Sequence, residues 1–399
     1  MNGGGENMKK KLLALFLCLM IVGVLAGCGG GDGSGDSGEG TIKLGALFNV
    51  TGDQASLDGP SLNGAKLAVK EINEAGGVLG KQIALVTVDG QTDQTAATNG
   101  ASKLAEQDKV SAIIGFSDSN YALAAGPIAQ QAQVPFVTSG ATLPSLPEQV
   151  GDYFFMAAFG DDAQAYAIAD YSINEMGAKT VYVLKDTAMD FTMNLSAFFV
   201  ERFTAANGKD SVILEDTFKT GDQDYSAQIT RLKALDVKPD VLFVSSGPSD
   251  CGPIVKQLRA AGIDTPVLSG DGFDTPLLIE LGGEGSKEVY FATHTCLTSD
   301  TPKVKEFVEA YTAEYGNAPE NGFAALGYDA IYLLADAITR ADSDDPAAIR
   351  DALAETSGFG AVTGTISYGA DSRVPEKSVS ILKVENGQFK FIKEETPTK

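Results

Sequence analysis

The chain has 399 residues, 44% of them hydrophobic, and its 53 acidic against 30 basic side chains give a formal charge of −23. That length favours two domains over one core, and that acidity excludes a nucleic-acid binder working through phosphate contacts. The one histidine, His294, excludes a multi-histidine metal site.

In chain order, Lys9-Lys10-Lys11 precede the apolar run Leu12 to Leu25. This is a basic n-region and an h-region, too short for an ordinary spanning helix. The following Leu25-Ala26-Gly27-Cys28 resembles a bacterial lipobox. That resemblance implies a signal peptide over 1–27, cleavage before Cys28 and a lipid on its thiol. The alternatives are an ordinary signal peptide or an uncleaved anchor. Residues 1–27 carry three Lys and one Glu, so the remainder has a charge of −25. An anionic membrane repels such a body, so attachment has to be covalent or hydrophobic. Either Met1 or Met8 could be the start. Residues 28–40 read as a Gly-rich tether, about 20 Å in root-mean-square span. It contains Gly33-Ser34-Gly35-Asp36-Ser37-Gly38, a G-x-G-x-x-G match with neither the preceding strand nor the following helix of a dinucleotide site.

Thr41 to Phe48 reads as a strand. Gly64 to Ala75 reads as an amphipathic helix, with Ala65, Ala68, Val69 and Ile72 on one face. A strand over Gln82 to Val88 and a helix over Ala96 to Gln107 follow. Val110 to Ile114 is a buried strand ending at Gly115, and Ala122 to Ala132 a helix. A second buried strand, Val134 to Val137, runs into Thr138-Ser139-Gly140-Ala141-Thr142. Two parallel strands therefore finish in hydroxyl-rich loops, where open α/β sheets bind ligands. Ser117, Ser119, Thr138, Ser139 and Thr142 are candidates to hold a carboxylate or phosphate beside a helix N-terminus, or else they cap helices and close turns.

Tyr153 to Ala157 leads into a second alternation. Helices are expected over Asp161–Met176, Phe191–Ala206, Tyr225–Leu235 and Ile254–Ala261. Strands are expected over Thr180–Leu184, Ser211–Thr217, Val241–Val244 and Pro266–Leu268. Lys303 to Ala341 is mainly helical, broken near Gly316 to Gly322. Phe359 to Tyr368 and Val379 to Ile392 read as closing strands, the latter turning at Asn386-Gly387. Strands alternating with helices imply βαβ units and parallel sheets.

No phosphate loop and no nucleophile elbow are present. Cys251 and Cys296 either pair or remain separate thiols. Asp161-Asp162 fits a helix N-terminal charge better than an acid/base pair, because adjacent residues point apart.

Taken together, Leu62 to Val69, Glu71-Ile72-Asn73, Gly76-Gly77, Ile114-Gly115, Ala125 to Ala129, Val134-Pro135, Ser139 to Thr142 and Gly327 to Ala330 resemble the substrate-binding proteins of branched-chain amino acid ABC transporters. The likeness covers nearly the whole mature chain. It implies a type I periplasmic binding protein fold: α/β, with two Rossmann-like lobes joined by three hinge crossovers. Lobe 1 would be 41–160 plus 292–370, and lobe 2 would be 161–291 plus 371–399. The implied ligand site has Ser119 and Thr142 on a ligand carboxylate, with Gly140 and Ala141 lending backbone groups and Ser117 and Ser139 nearby. Asp271, after a lobe-2 strand, would meet the ammonium. Met189-Asp190 stands where the family often has Tyr-Gly, and Gly247-Pro248 where an aromatic residue often faces the ligand. Phe159, Met189 or Phe191 would meet the apolar part of the ligand.

The resemblance implies a lipid-anchored extracytoplasmic monomer, not an enzyme and without cofactor or metal. It would capture a small amino acid, hydrophobic or branched-chain, and deliver it to a permease. A sensing receptor domain, or a binder of an amide or aromatic acid, would share the fold.

Overall fold

The computed structural model describes residues 40–369 and 372–397. Cys28, the apolar run before it and the tether up to residue 39 lie outside the described residues.

The first sheet holds β1 (Thr41–Phe48), β2 (Gln82–Asp89), β3 (Ala112–Gly115), β4 (Phe136–Thr138) and β5 (Phe154–Met156), in the order β2-β1-β3-β4-β5 and parallel throughout. Strands β3, β4 and β5 are buried throughout, because helices cover both faces of the sheet. On one face Leu44, Ala46 and Phe48 pack on α1 (Ala55–Glu74). On the other, Leu47 and Ile113 meet α2 (Gln94–Ser102) and α3 (Ser119–Ala132). A short α4 (Leu146–Val150) precedes β5.

Beyond β5 the chain enters α5 (Asp161–Asn174) and a second sheet. Its parallel part contains β6 (Val181–Asp186), β7 (Val212–Phe218), β8 (Val241–Ser245), β9 (Val267–Ser269) and β10 (Val289–Thr293), in the order β10-β9-β8-β6-β7. Read in chain order, this repeats the arrangement of the first sheet. Helices α6 (Asp190–Asn207), α7 (Ser226–Lys233), α8 (Pro248–Ala260) and α9 (Pro276–Gly282) connect these strands. Next come α10 (Pro302–Tyr315), α11 (Phe323–Ala341) and α12 (Pro346–Ala354). Ile331 and Leu334 of α11 and Ile349 of α12 join the core around β1, so the chain has returned to the first sheet. Strands β11 (Phe359–Ala361) and β12 (Gly364–Ile366) form a separate hairpin; β13 (Val379–Glu385) joins the second sheet antiparallel to β10, and β14 (Gln388–Glu395) pairs antiparallel with β13. Asn386 and Gly387 turn that last hairpin with φ of 52° and 69°, as a two-residue type I′ turn requires.

Some elements differ from the sequence reading. Helix α1 starts nine residues before the expected Gly64 and runs through Pro60. A proline there withholds the N–H that the Ser56 carbonyl would accept. Asn321 Nδ2 supplies the donor instead, at 2.9 Å. Strand β10 was not anticipated, because α9, only seven residues long, gives a weak helical signal before it. The expected strand over Phe359 to Tyr368 is split into the β11–β12 hairpin. Cys251 and Cys296 are both buried, free thiols.

Helices α1 and α11 cross with their backbones in contact, and two glycines permit it. A Cβ on Gly64 would lie 1.8 Å from the Ala324 carbonyl oxygen, and one on Gly327 would lie 1.9 Å from that of Ser61. Five residues earlier in α1, Gly59 faces open space. Gly64→Ala should therefore lower the thermal midpoint, with an overpacking cost of about 1–3 kcal/mol or more. Gly59→Ala should leave it unchanged or raise it, by up to about 1 kcal/mol of helix propensity. Equal midpoints for the two variants would contradict this crossing.

Candidate ligand cleft

In both sheets the strand order reverses beside the first strand of the set, between β1 and β3 and between β6 and β8. Crevices at such switch points, outside the carboxyl ends of the strands, are where open α/β sheets bind ligands. Here both crevices contribute to one cavity. Gln54 and Leu57 come from the segment after β1, and Ser117 and Asp118 from the loop after β3. Met189 and Phe191 follow β6, Gly247 and Pro248 follow β8, and Asp271 and Gly272 follow β9. Phe323, at the start of α11, completes the lining. The cavity measures about 10 Å³, room for about one water molecule. The loops around it touch across the cleft. Asn120 accepts from Asp190 N at 2.9 Å and donates to the Ala188 carbonyl at 3.3 Å, and Thr275 Oγ1 donates to Ser56 Oγ at 3.0 Å.

The sequence-predicted residues divide into two groups. Ser117, Met189, Phe191 and Asp271 line the cavity. Ser119, Ser139, Gly140, Ala141, Thr142 and Phe159 are buried behind or beside it. Ser119 opens α3 and its Oγ accepts from Leu143 N at 3.2 Å, so its hydroxyl proton remains available to donate. Thr138 serves the loop itself, donating to the Phe116 carbonyl at 2.8 Å and accepting from Ala141 N at 3.2 Å. Ser139 Oγ accepts from Ser61 at 3.1 Å. Gly140 lies against the Phe323 ring, which a Cβ would approach to 2.8 Å. The Thr142 carbonyl accepts from Asp161 N at 2.7 Å.

Asp271 is 3% exposed and tightly held. Gln164 clamps it, with Nε2 donating to Oδ1 at 3.1 Å and Oε1 accepting from its backbone N–H at 2.8 Å. The same Nε2 reaches Asp161 Oδ1 at 3.1 Å. The other oxygen of Asp271 lies 2.8 Å from His294 Nε2. Burial outweighs the adjacent carboxylate and holds the imidazole below its ordinary pKa. The contact is therefore a hydrogen bond to a neutral ring rather than an ion pair. Phe159 stacks on that ring at 4.2 Å between centroids, so it supports Asp271 from behind. Neither Gln164 nor His294 was picked out as an Asp271 partner in the sequence, because they stand 107 and 23 residues from it.

Asp118, also unanticipated, caps α3 by accepting from Asn120 N at 2.8 Å. Its other oxygen has one long contact, Gln54 Nε2 at 3.4 Å. An Asp immediately before a helix is a common cap, so the sequence carried no signal that this one also faces a cavity. Burial pushes its pKa up to about 7, with the charges of Asp58 and Asp190 adding to the effect. Asp58, fully buried, accepts from Asn49 N and Ser117 N, yet burial still pushes it up to about 6. Asp161 is raised well above the ordinary value by burial and by Asp271.

The family model described as Periplasmic binding protein matches residues 41–388. The leucine binding protein LivK of Thermotoga maritima MSB8 is 34% identical with a TM-score of 0.83, over 89% of this chain and 99% of that one. The chain belongs to the periplasmic binding proteins, in the substrate-binding family of branched-chain amino acid ABC transporters. The transporter substrate binding protein LivJ of Streptococcus pneumoniae, solved in complex with isoleucine, is 33% identical with a TM-score of 0.81, over 88% and 99% of the two chains. A solute binding protein of Rhodopseudomonas palustris BisB5, solved with 3,4-dihydroxy benzoic acid, is 28% identical with a TM-score of 0.80, over 90% and 99%. The family fixes the class of activity: extracytoplasmic capture of a small-molecule solute for an ABC transporter, with no enzymatic step. Among the described residues no helix is long and apolar enough to cross a membrane.

The buried acids make a testable statement about the ligand-free protein. Asp118 binds its proton more tightly folded than unfolded, so its share of stability is full below about pH 4 and is lost as pH rises towards about 7. Asp118→Asn keeps the cap and removes the charge. It should raise the thermal midpoint by a few degrees near pH 8 and change it little near pH 4. A larger gain at the acidic end would contradict the burial of this carboxylate.

Proposed function

We propose that this protein captures an α-amino acid between two lobes, 41–160 plus 292–370 and 161–291 plus 371–399, and passes it to its permease. The carrying observation is the cavity wall, in which, among the described residues, Asp118 and Asp271 are the only ionisable side chains and no Lys, Arg or His takes part. An ammonium group suits such a wall. Asp271, oriented by Gln164 and His294, is its acceptor, because a carboxylate keeps lone pairs beyond the bonds it already makes. Ser119, Thr142 and the backbone N–H groups of the loops around 140–142 would receive the ligand carboxylate, helped by the N-terminus of α3. The named ligands of the similar proteins, leucine and isoleucine, support the amino acid class.

A cavity with room for one water cannot admit an amino acid, so entry requires the lobes to part at the crossovers near 160, 291 and 370. Closure then excludes water and strengthens each polar contact. An aromatic acid, the ligand of the Rhodopseudomonas palustris relative, is the second reading. It has Phe191 and Phe323 to stack on, but it would bring a net negative charge to a wall that already holds two carboxylates.

Cys28 would carry the lipid anchor. Two or more acyl chains are needed for stable attachment, each contributing about 0.8 kcal/mol per buried CH₂. Cys28→Ala should move exported protein from the membrane fraction to the soluble one or leave it held by an uncleaved signal; wild-type protein recovered without lipid would refute the anchor.

Calorimetry on the Asp271→Ala variant tests the binding site. Stranding a buried ammonium should cost about 2–5 kcal/mol, at least about 30-fold in affinity. Ser119→Ala should cost about 1.5–3 kcal/mol for one hydrogen bond to a charge. Wild-type affinity in Asp271→Ala would eliminate the ammonium assignment.

A further inference from the structure

Asp271 accounts for one of the two carboxylates on the cavity wall, and Asp118 is left without a role in an aliphatic amino acid site. It is 4% exposed, and its donors are the Asn120 and Tyr121 backbone N–H groups of its own cap and the long Gln54 contact, none of them a cation. Beside it Ser117, 8% exposed, lines the same cavity. Ser117 Oγ lies near Asp58, whose two oxygens already take the Asn49 and Ser117 backbone N–H groups. The Ser117 hydroxyl can give its hydrogen to Asp58, so this corner offers a ligand acceptors, a carboxylate oxygen and the hydroxyl's lone pairs. Asp58 and Asp190 add negative potential to it, and no Lys, Arg or His lines the cavity to offset it. The same cavity is lined by Leu57, Met189, Phe191 and Phe323, apolar side chains of the kind that cover a methylene stem while its charged end finds a partner. The burial that raises the Asp118 pKa is the desolvation that a bound cation would offset.

We propose that Asp118 is a specificity-determining residue that receives a cationic side chain, with Ser117 as a second acceptor, so that the ligand is a basic α-amino acid. This rests on the amino acid reading of the site and narrows it. The α-ammonium would meet Asp271, the stem the apolar side chains, and the distal cation Asp118.

The test is calorimetry of the mature protein with L-lysine, L-ornithine, L-arginine, L-glutamine and L-leucine. At least one basic amino acid should bind about tenfold or more tighter than leucine and glutamine, a difference of about 1.4 kcal/mol or more. Asp118→Asn should remove that preference, and a thermal midpoint near pH 4 close to that of the wild type reports that the variant is folded. Ser117→Ala should weaken the basic ligand by a smaller factor. Leucine binding tighter than every basic amino acid, or Asp118→Asn leaving basic affinity unchanged, overturns the Asp118 assignment and leaves the amino acid site standing. Binding of benzoate-type acids with no response to any amino acid overturns the amino acid reading itself, and this inference with it.

Discussion

A carboxylate removed from water with no cation beside it is costly, and this fold places several of them around the ends of its strands. Asp58, Asp118, Asp161, Asp271 and Asp274 are all buried. Backbone N–H groups, Gln164 and Thr293 hold them, rather than Lys or Arg. Asp274, taken by Thr293 Oγ1 and Gly322 N, is still pushed up to about 6 by burial. Neutral donors can orient a carboxyl group, but they do not supply a countercharge. On the function proposed above, a ligand that brings a positive group would supply it.

The repeated strand order explains why these acids converge. Each sheet sends the loops after its strands toward its own switch point, and the two switch points share one cavity. The α1–α11 crossing anchors one side of it, since Gly64 and Gly327 let α11 approach until Phe323 at its start reaches the cavity wall. Asn321, two residues earlier, bonds the carbonyl that Pro60 leaves free in α1. The same short segment thus ties a helix together and shapes the site.

Much of this was legible in the sequence, because βαβ alternation and strand-end hydroxyls are local patterns. The runs Leu44–Phe48 and Val241–Val244 are continuous and apolar, as strands covered on both faces are. Gly140 was singled out from a motif, and the Phe323 ring against it gives the physical reason. What stayed hidden depends on distant pairing. Gln164 meets Asp271 across 107 residues, and His294, the lone histidine, serves as a buried prop for that carboxylate. Asp118 looked like an ordinary cap because it is one; only the packing of the second sheet's loops against it gives it a cavity to face.

The family is settled by likeness along most of the chain, but relatives of comparable fold were solved with isoleucine and with an aromatic acid. Ligand class must therefore come from the charges on the wall. Titration calorimetry with the preferred amino acid and with its desamino analogue, which keeps carboxylate and side chain but lacks the α-ammonium, separates the two readings. The ammonium–Asp271 contact predicts at least about a 30-fold loss for the analogue, since about 2–5 kcal/mol is at stake. Equal affinity for the two would show that no ammonium is bound, and the account of an amino acid clamped between opposed loops would fall.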